Sequence, residues 1–413
     1  ARYLKTKLNK PLSDALFPKV DDYVLEYTCD EGEFHEPIEY APIAPFVLLE
    51  SNELPATGWK YEAYARDWNS VYENIIHCID KFITPRADPA DPADPVSRMT
   101  SQDVKHMPFW KNNWKGEIRT TTNSKGVISK WFVGVYLYDT LANVVEISEL
   151  PFQTWNVPYA DKMLLKPYIA AVCDTKSTKL QIDMRLLLQP NAIGVMEASA
   201  VRGHPEFDVI EDYCLLKKKI NKHLNMIESG TAKSYETYEQ VFVEWFKKRA
   251  HVYTLRVNRL LVLIRLRIQY LTTVIKFVKN HKKYNFSVLD KPAAVALLEA
   301  DGYVRICKSL LDSPGTTSVD DLDRLIIHDA KSGVAPLTSQ TFGYLFSQGP
   351  SQRMQSARDA RAEKLTSLRV ELNRLSQPGI IKTLWKSELM VLNEVIKKGT
   401  THERGWLHGE SNA

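Results

Sequence analysis

The chain has 413 residues, 44% of them apolar, and 54 basic against 50 acidic side chains leave a formal net charge of +4. That length exceeds one compact core, so two or three domains are expected, and the apolar share is that of an ordinary globular protein. The charge is too small to identify a nucleic-acid partner by itself, and no run of about 20 apolar residues suited to a membrane span occurs. The most apolar stretch, 260–266, is interrupted by Arg265 and followed by Arg267. Five cysteines, Cys29, Cys78, Cys173, Cys214 and Cys307, are scattered without a CxxC pair. Such a set argues against a disulfide framework or structural zinc and suits a reducing compartment. The opening ARYLKTKLNK has no apolar stretch after its charges, so no signal peptide is expected.

In chain order, the first 104 residues mix short apolar runs with turn residues. APIAPFVLLE at 41–50 carries two prolines, and from there to Trp59 no helical period appears, which predicts extended chain and tight turns. Over 68–82, Val71, Ile75, Ile79 and Phe82 recur at helical spacing and predict an amphipathic helix. ADPADPADP at 87–95 then reads as an exposed linker, since its prolines remove donors and its aspartates repel. VGVYLY at 133–138, VVEI at 144–147 and KLQIDMRLLL at 179–188 look like strands, the first two separated by a polar turn at 139–143, so an α+β domain is expected over 110–188. Val257, Leu261, Ile264, Ile268, Leu271, Ile275 and Val278 form a heptad seam, and Leu365, Leu368, Leu372 and Leu375 a shorter one that Pro378–Gly379 ends. Ile381, Trp385, Leu389, Leu392 and Ile396 mark a third helix. The simplest architecture is an antiparallel coiled coil with a small helical head at its tip, though such seams equally describe a bundle core.

Six phrases in order extend this reading. ARYLKTKL with LFPKVDD at 16–22, EYAPIAPFVLLESNELPATGW at 39–59, MPFWKNNWKGEI at 107–118, EISELPFQTW at 146–155, KSYETYEQVFVEWFKKR at 233–249 and IIKTLWKSELMVLNEV at 380–395 resemble landmarks of the type IIA DNA topoisomerases. Within that family the affinity is to eukaryotic-type enzymes in a divergent form, of the kind a large DNA virus carries. The resemblance implies a multidomain α+β fold. A partial winged-helix domain with the catalytic tyrosine and a DNA-bending turn would occupy 1–105, and an α/β tower domain 106–205. The tower exit and first coiled-coil helix would span 206–284, a helical C-gate head 285–350 and the returning coiled-coil helices 351–399. The tail, 400–413, receives no role.

The resemblance places Tyr3 at the nucleophile position, forming a 5′-phosphotyrosyl link, and Arg2 as a clamp on charge developing at the phosphoryl oxygens. Lys5, Lys7, Lys10 and Lys19 are expected to neutralise DNA phosphates, although exposed lysines are equally ordinary on a surface. The family's wedging isoleucine aligns with Pro55, counting back from Thr57–Gly58–Trp59, and Leu54 is its possible substitute. Two family glycines are missing from this turn, and Pro55 could equally serve to fix it.

No metal-binding acidic cluster and no ATPase segment is visible; Asp21–Asp22 and Asp320–Asp321 read as solvated turns or caps, and His35, His77, His106 and His204 lack ligand spacing. The Mg²⁺ and ATP of the complete enzyme are therefore expected on TOPRIM and ATPase domains absent from this chain, which alone would cleave little. The expected partners are double-stranded DNA, those domains and a second copy of the chain, joined through the C-gate, with no membrane. The family implies the host cytoplasm for a viral enzyme and the nucleus for a cellular one. The rival reading is a noncatalytic DNA-binding or coiled-coil dimerisation module. A relative of the archaeal meiotic type is disfavoured by the long helical half.

Overall fold

The computed structural model describes the chain except residues 1–6, 23, 32, 57, 85–93, 112, 124, 175–176, 179–180, 200–206, 229, 285–289, 304–305, 308–339, 347, 350–353 and 403–413. Helix α1 (Lys10–Leu16) precedes the hairpin β1–β2 (Tyr27–Asp30, Glu33–Pro37) and a second hairpin, β3–β4 (Asn52–Ala56, Trp59–Ala63). Helix α2 (Trp68–Phe82) follows, then β5 (Glu117–Thr122), β6 (Ile128–Val133), β7 (Val135–Asp139) and β8 (Val144–Glu149). Next come α3 (Asn156–Leu164), β9 (Ile169–Asp174), β10 (Met184–Leu188), α4 (Ala192–Ser199) and α5 (Val209–Tyr213). Strands β11 (Lys217–Lys219), β12 (His223–Glu228) and β13 (Thr231–Tyr235) lead into α6 (Tyr238–Lys279), 42 residues long. After α7 (Lys291–Ala300), β14 (Ile306–Cys307), β15 (Gln340–Thr341) and α8 (Gly343–Phe346) come α9 (Gln355–Leu375) and α10 (Ile380–His402), the last described elements. The fold is multidomain α+β, and its contacts divide it into two units: 1–47 with 71–106 and 239–413, and 48–70 with 107–238.

In the first unit, an aromatic and aliphatic core forms between α6 and α10, and α1 packs on α10. Trp385 is fully buried, its ring stacked on Phe246 with centroids 4.8 Å apart, and its indole N–H donates to the carbonyl of Ile43 at 3.3 Å. Leu389, Leu392 and Ile396 continue the buried stripe of α10 at the spacing that marks the third helix in the sequence. Asn9 caps α1 by accepting from the backbone of Leu12, with Pro11 in the first turn, where its missing N–H costs nothing. Val71, Ile75, Ile79 and Phe82 are all buried on α2, as the amphipathic period predicts. The linker reading of 87–95 changes at its described end, where the Asp94 carboxylate is buried and accepts from the backbone N–H of Val96 at 2.7 Å. Residues 87–93 lie outside the described residues.

Along α6, Val257, Ile264, Leu271 and Val278 are buried while Leu261, Ile268 and Ile275 are half-buried. On α9 only Leu375 of the expected seam is buried; Leu365, Leu368 and Leu372 are intermediate. A separate apolar cluster closes around the C-terminal end of α6, where Val274, Phe277 and Val278 pack with Tyr284, Leu298, Tyr303, Phe342, Tyr344 and Leu345. Tyr303, Phe342, Tyr344 and Leu345 are buried in this cluster, and Phe346 is exposed. Ile306 lies in β14; Leu310 and Leu311 fall outside the described residues.

Among its described residues the second unit carries three open sheets. One has the order β7-β8-β10-β9, all antiparallel neighbours, with α3, α4 and α5 packed against one face through Val145, Ile147, Met184, Leu186, Met163, Met196 and Ile210. The polar turn at 139–143 is present, and the Asp139 carboxylate accepts from the backbone of Leu141 and Ala142. The second sheet, β11-β6-β5, packs Phe132 against Trp114 and Tyr64. Gly116 is required there: a Cβ would sit 2.1 Å from the Trp114 ring and 2.4 Å from the carbonyl of Val133. The third sheet has the order β13-β12-β4-β3.

Candidate nucleic-acid interface

Of the residues expected around the tyrosine, Arg2, Tyr3 and Lys5 lie outside the described residues. Lys7 is exposed just before α1. Lys10 is exposed but paired with Asp14 at 2.8 Å, one helical turn on, so part of its charge is already answered within the chain. Lys19 is exposed at the start of a short 3-10 turn, Lys19–Asp21. Asp21, at the end of that turn, departs from the solvated reading. Its carboxylate is buried and accepts from the guanidinium of Arg249 at 2.6 Å, with Arg256 at 3.4 Å on its other oxygen. Glu388 on α10 completes the cluster, accepting from Arg256 at 3.2 Å and from the Tyr253 hydroxyl at 2.6 Å. The LFPKVDD segment is thereby tied to the roots of two long helices. Sequence reasoning missed this because Arg249 and Arg256 fall off the heptad seam, and local pattern gives a charge no address in the core.

The DNA-bending turn of the sequence reading is the β3–β4 hairpin. Its register pairs Ala56 with Trp59, Pro55 with Lys60, Leu54 with Tyr61 and Glu53 with Glu62, so Ala56 and Trp59 close a tight turn. Thr57 lies outside the described residues, and Gly58 has φ +75°, the left-handed value that two-residue hairpins require and glycine supplies without strain. Pro55 is therefore a strand residue one pair behind the turn. It tolerates this because β3 is the sheet edge, and the non-hydrogen-bonded pair next to a two-residue loop directs its missing N–H outward.

Alternation sorts the hairpin's side chains onto two faces. Leu54, Trp59, Tyr61 and Ala63 share one face, with Tyr61 and Ala63 buried at its base and Leu54 58% exposed nearer the tip. Glu53, Pro55, Lys60 and Glu62 share the other, where Lys60 pairs with Glu53 and Glu62, each at 2.8 Å. The hydrogen bond and charge of Lys60 hold the Glu53 carboxyl below its usual range. Leu54 and Pro55 thus project from opposite faces of one narrow, exposed ribbon, and both are accessible to a groove. At its base the unit is anchored by Arg66, which lies 4.0 Å from the centre of the Tyr238 ring while its Nε donates to the carbonyl of Tyr64 at 3.0 Å.

Among the described residues, no three His, Cys, Asp or Glu side chains gather as a metal-binding group, and no helix is long and apolar enough to cross a membrane. Residues 1–294 match the family of the DNA gyrase/topoisomerase IV A subunit. The chain belongs to that family. It corresponds to the breakage-reunion core of a type IIA topoisomerase and is distantly related to the viral and eukaryotic enzymes. DNA topoisomerase 2 of African swine fever virus (Malawi tick isolate) is 22% identical over 416 residues, an alignment covering 96% of this chain and 32% of that protein. Chicken DNA topoisomerase 2-beta is 24% identical, covering 98% of this chain and 23% of that one. The crystal structure of the Plasmodium falciparum topoisomerase II DNA-binding, cleavage and re-ligation domain superposes with a TM-score of 0.62 at 19% identity, over 95% of this chain and 49% of that one. The chain thus spans a third or less of the length of these curated relatives.

Proposed function

We propose that this type IIA topoisomerase core supplies the covalent chemistry and the exit gate of a complete ATP-dependent enzyme that passes one DNA duplex through another. The Tyr3 phenol oxygen attacks a backbone phosphorus; the bond from phosphorus to the 3′ oxygen breaks, and that oxygen leaves as a 3′-hydroxyl after taking up a proton. The strand is left as a 5′-phosphotyrosyl ester whose stored bond energy drives resealing. Arg2 donates a planar fork to the oxygens on which charge builds. Magnesium and ATP would be held by the TOPRIM and ATPase domains of the complete enzyme.

The observation that supports the reading is the β3–β4 hairpin, an exposed edge ribbon that carries Leu54 and Pro55, the two residues the resemblance aligns with the family's wedge. Lys5, Lys7, Lys10, Lys19 and Thr57 would hold flanking phosphates. The coarse α+β fold accommodates a winged-helix remainder, a tower and a coiled-coil arm. In that arm α6, about 63 Å long from its residue rise, would carry the 285–350 head to a second protomer. Homodimerisation follows from the chemistry, because each protomer cuts one strand. A viral enzyme of this kind would work in the host cytoplasm and a cellular one in the nucleus.

The test is incubation of the complete enzyme with supercoiled plasmid, Mg²⁺ and ATP, followed by denaturation and protease digestion. Protein-linked double-strand breaks support the reading. Their absence, with DNA binding and dimerisation intact, supports the noncatalytic alternative.

A further inference from the structure

The β3–β4 hairpin does not stand alone. In the same sheet, β12 pairs antiparallel with β4, His223 opposite Glu62 and Leu224 opposite Tyr61. Beyond these two pairs the Asn225 side-chain amide, rather than the backbone, donates to the carbonyl of Lys60 at 2.8 Å. The antiparallel direction runs the end of β12 toward the start of β4, beside the turn that holds Gly58. The turn between β12 and β13 follows Glu228 and contains Gly230, with φ +77°. Both hairpin turns therefore lie at the same end of one sheet, side by side.

The pleat decides what this second tip presents. His223, Asn225 and Ile227 share the face that carries Glu53, Pro55, Lys60 and Glu62, as shown by the contact of His223 with Glu62 and of Asn225 with Ser234. Ile227 is 78% exposed. Its partner across β13 is Ala232, whose side chain is only a methyl. On the opposite face of the same hairpin Glu228 is occupied, pairing with Lys233 at 2.8 Å and accepting from the Tyr235 hydroxyl at 2.9 Å. A lone branched apolar side chain exposed beside a small partner on a narrow ribbon is poorly suited to a protein interface, which needs a contiguous apolar patch. It has the shape that enters a nucleic-acid groove and parts a base step.

We propose that the β12–β13 tip is a second DNA-contacting prong and that Ile227 wedges into the duplex beside Pro55. The proposal rests on reading β3–β4 as the DNA-bending hairpin. Strands β3 and β12 are two strand spacings apart, about 10 Å, which is too far to share one base step of about 3.4 Å. Two separate steps are therefore opened, and the bend is divided between them.

The experiment uses the 413-residue chain and a short duplex labelled at both ends for fluorescence transfer. Ile227→Ala should lower the bent fraction of bound duplex by about threefold or more, since most of the inserted apolar area is removed. Ile227→Lys should lower bending equally while holding or tightening binding and steepening the salt dependence by about one unit. Circular dichroism of both variants should match the parent, because the side chain is exposed. A parent that bends DNA, with both variants bending it equally well, overturns the second prong and leaves the β3–β4 reading standing. A parent that does not bend DNA, with Pro55→Gly and Leu54→Ala binding unchanged, removes the β3–β4 reading and this inference with it.

Discussion

The Arg249 guanidinium and the Asp21 carboxylate meet at 2.6 Å, and the two side chains are 0% and 4% exposed. Arg249 also donates to the carbonyl of Ala41 at 2.7 Å and lies 4.1 Å from the centre of the Tyr253 ring. Arg256 and Glu388 balance the remaining charge, so the cluster is neutral overall. Removing one partner leaves the other charged and buried, which costs about 3–5 kcal/mol. Arg249→Met should therefore depress the thermal midpoint strongly, and so should Asp21→Leu. The double variant should recover much of the loss, because two apolar side chains of similar bulk are tolerated where one unpaired charge is not. Scanning calorimetry of the four proteins measures the coupling. Strictly additive losses would show that the pair contributes no interaction of its own.

The hairpin tip separates two candidate wedges by face. Leu54→Ala removes exposed apolar bulk from the face shared with Trp59 and Tyr61, whereas Pro55→Gly removes ring bulk and φ restriction from the face shared with Lys60. If Pro55 is the wedge, its glycine variant should lower DNA bending and cleavage several-fold while Leu54→Ala stays close to the parent. The reverse order would assign the wedge to Leu54. Fluorescence transfer across a bent duplex reads both.

Thiol reactivity should divide by burial. Cys29 and Cys173 are exposed, whereas burial pushes the thiols of Cys78 and Cys214 up to about 12. At pH 8 those two stay protonated and out of reach, so alkylation in the native state should modify peptides carrying Cys29 and Cys173 first. Raising the pH toward 10 should leave Cys78 and Cys214 unmodified until the chain is denatured. Peptide mapping by mass spectrometry checks this, and early labelling of Cys78 would contradict the packing of α2.

The head should govern dimerisation. Deleting 285–350 exposes the ends of the cluster on α6, so the deletion should carry Phe277→Glu and Val278→Lys to remain soluble. Sedimentation should show the deleted chain as a monomer or weak dimer that is still helical. Dimer affinity equal to the parent would place the interface elsewhere.

The features legible in the sequence were those with a short repeat. The stripe of α2, the seam of α6 and the buried face of α10 follow a helical period, and the β7–β8 hairpin announces itself by its turn. Long-range placement was not legible. Asn225 and Lys60 are neighbours across 165 residues of sequence, and nothing local in ESNELPATGW marks Pro55 as an edge-strand residue. Asp21 looked like a solvated turn because the two arginines that bury it lie on a helix more than 200 residues away. The resemblance supplied roles for Arg2 and Tyr3 that no periodicity could have given.

The central claim is that Tyr3 becomes covalently joined to DNA, and trapping that adduct tests it most directly. The complete enzyme carrying this chain is incubated with end-labelled DNA and denatured in detergent, and protein-linked label is counted for the parent, Tyr3→Phe and Arg2→Lys. Tyr3→Phe keeps the ring and loses only the hydroxyl, so folding and DNA binding should persist while the adduct vanishes. Arg2→Lys should reduce it severely, because an ammonium cannot reproduce the bidentate fork. Parent-level adduct in Tyr3→Phe would contradict the account.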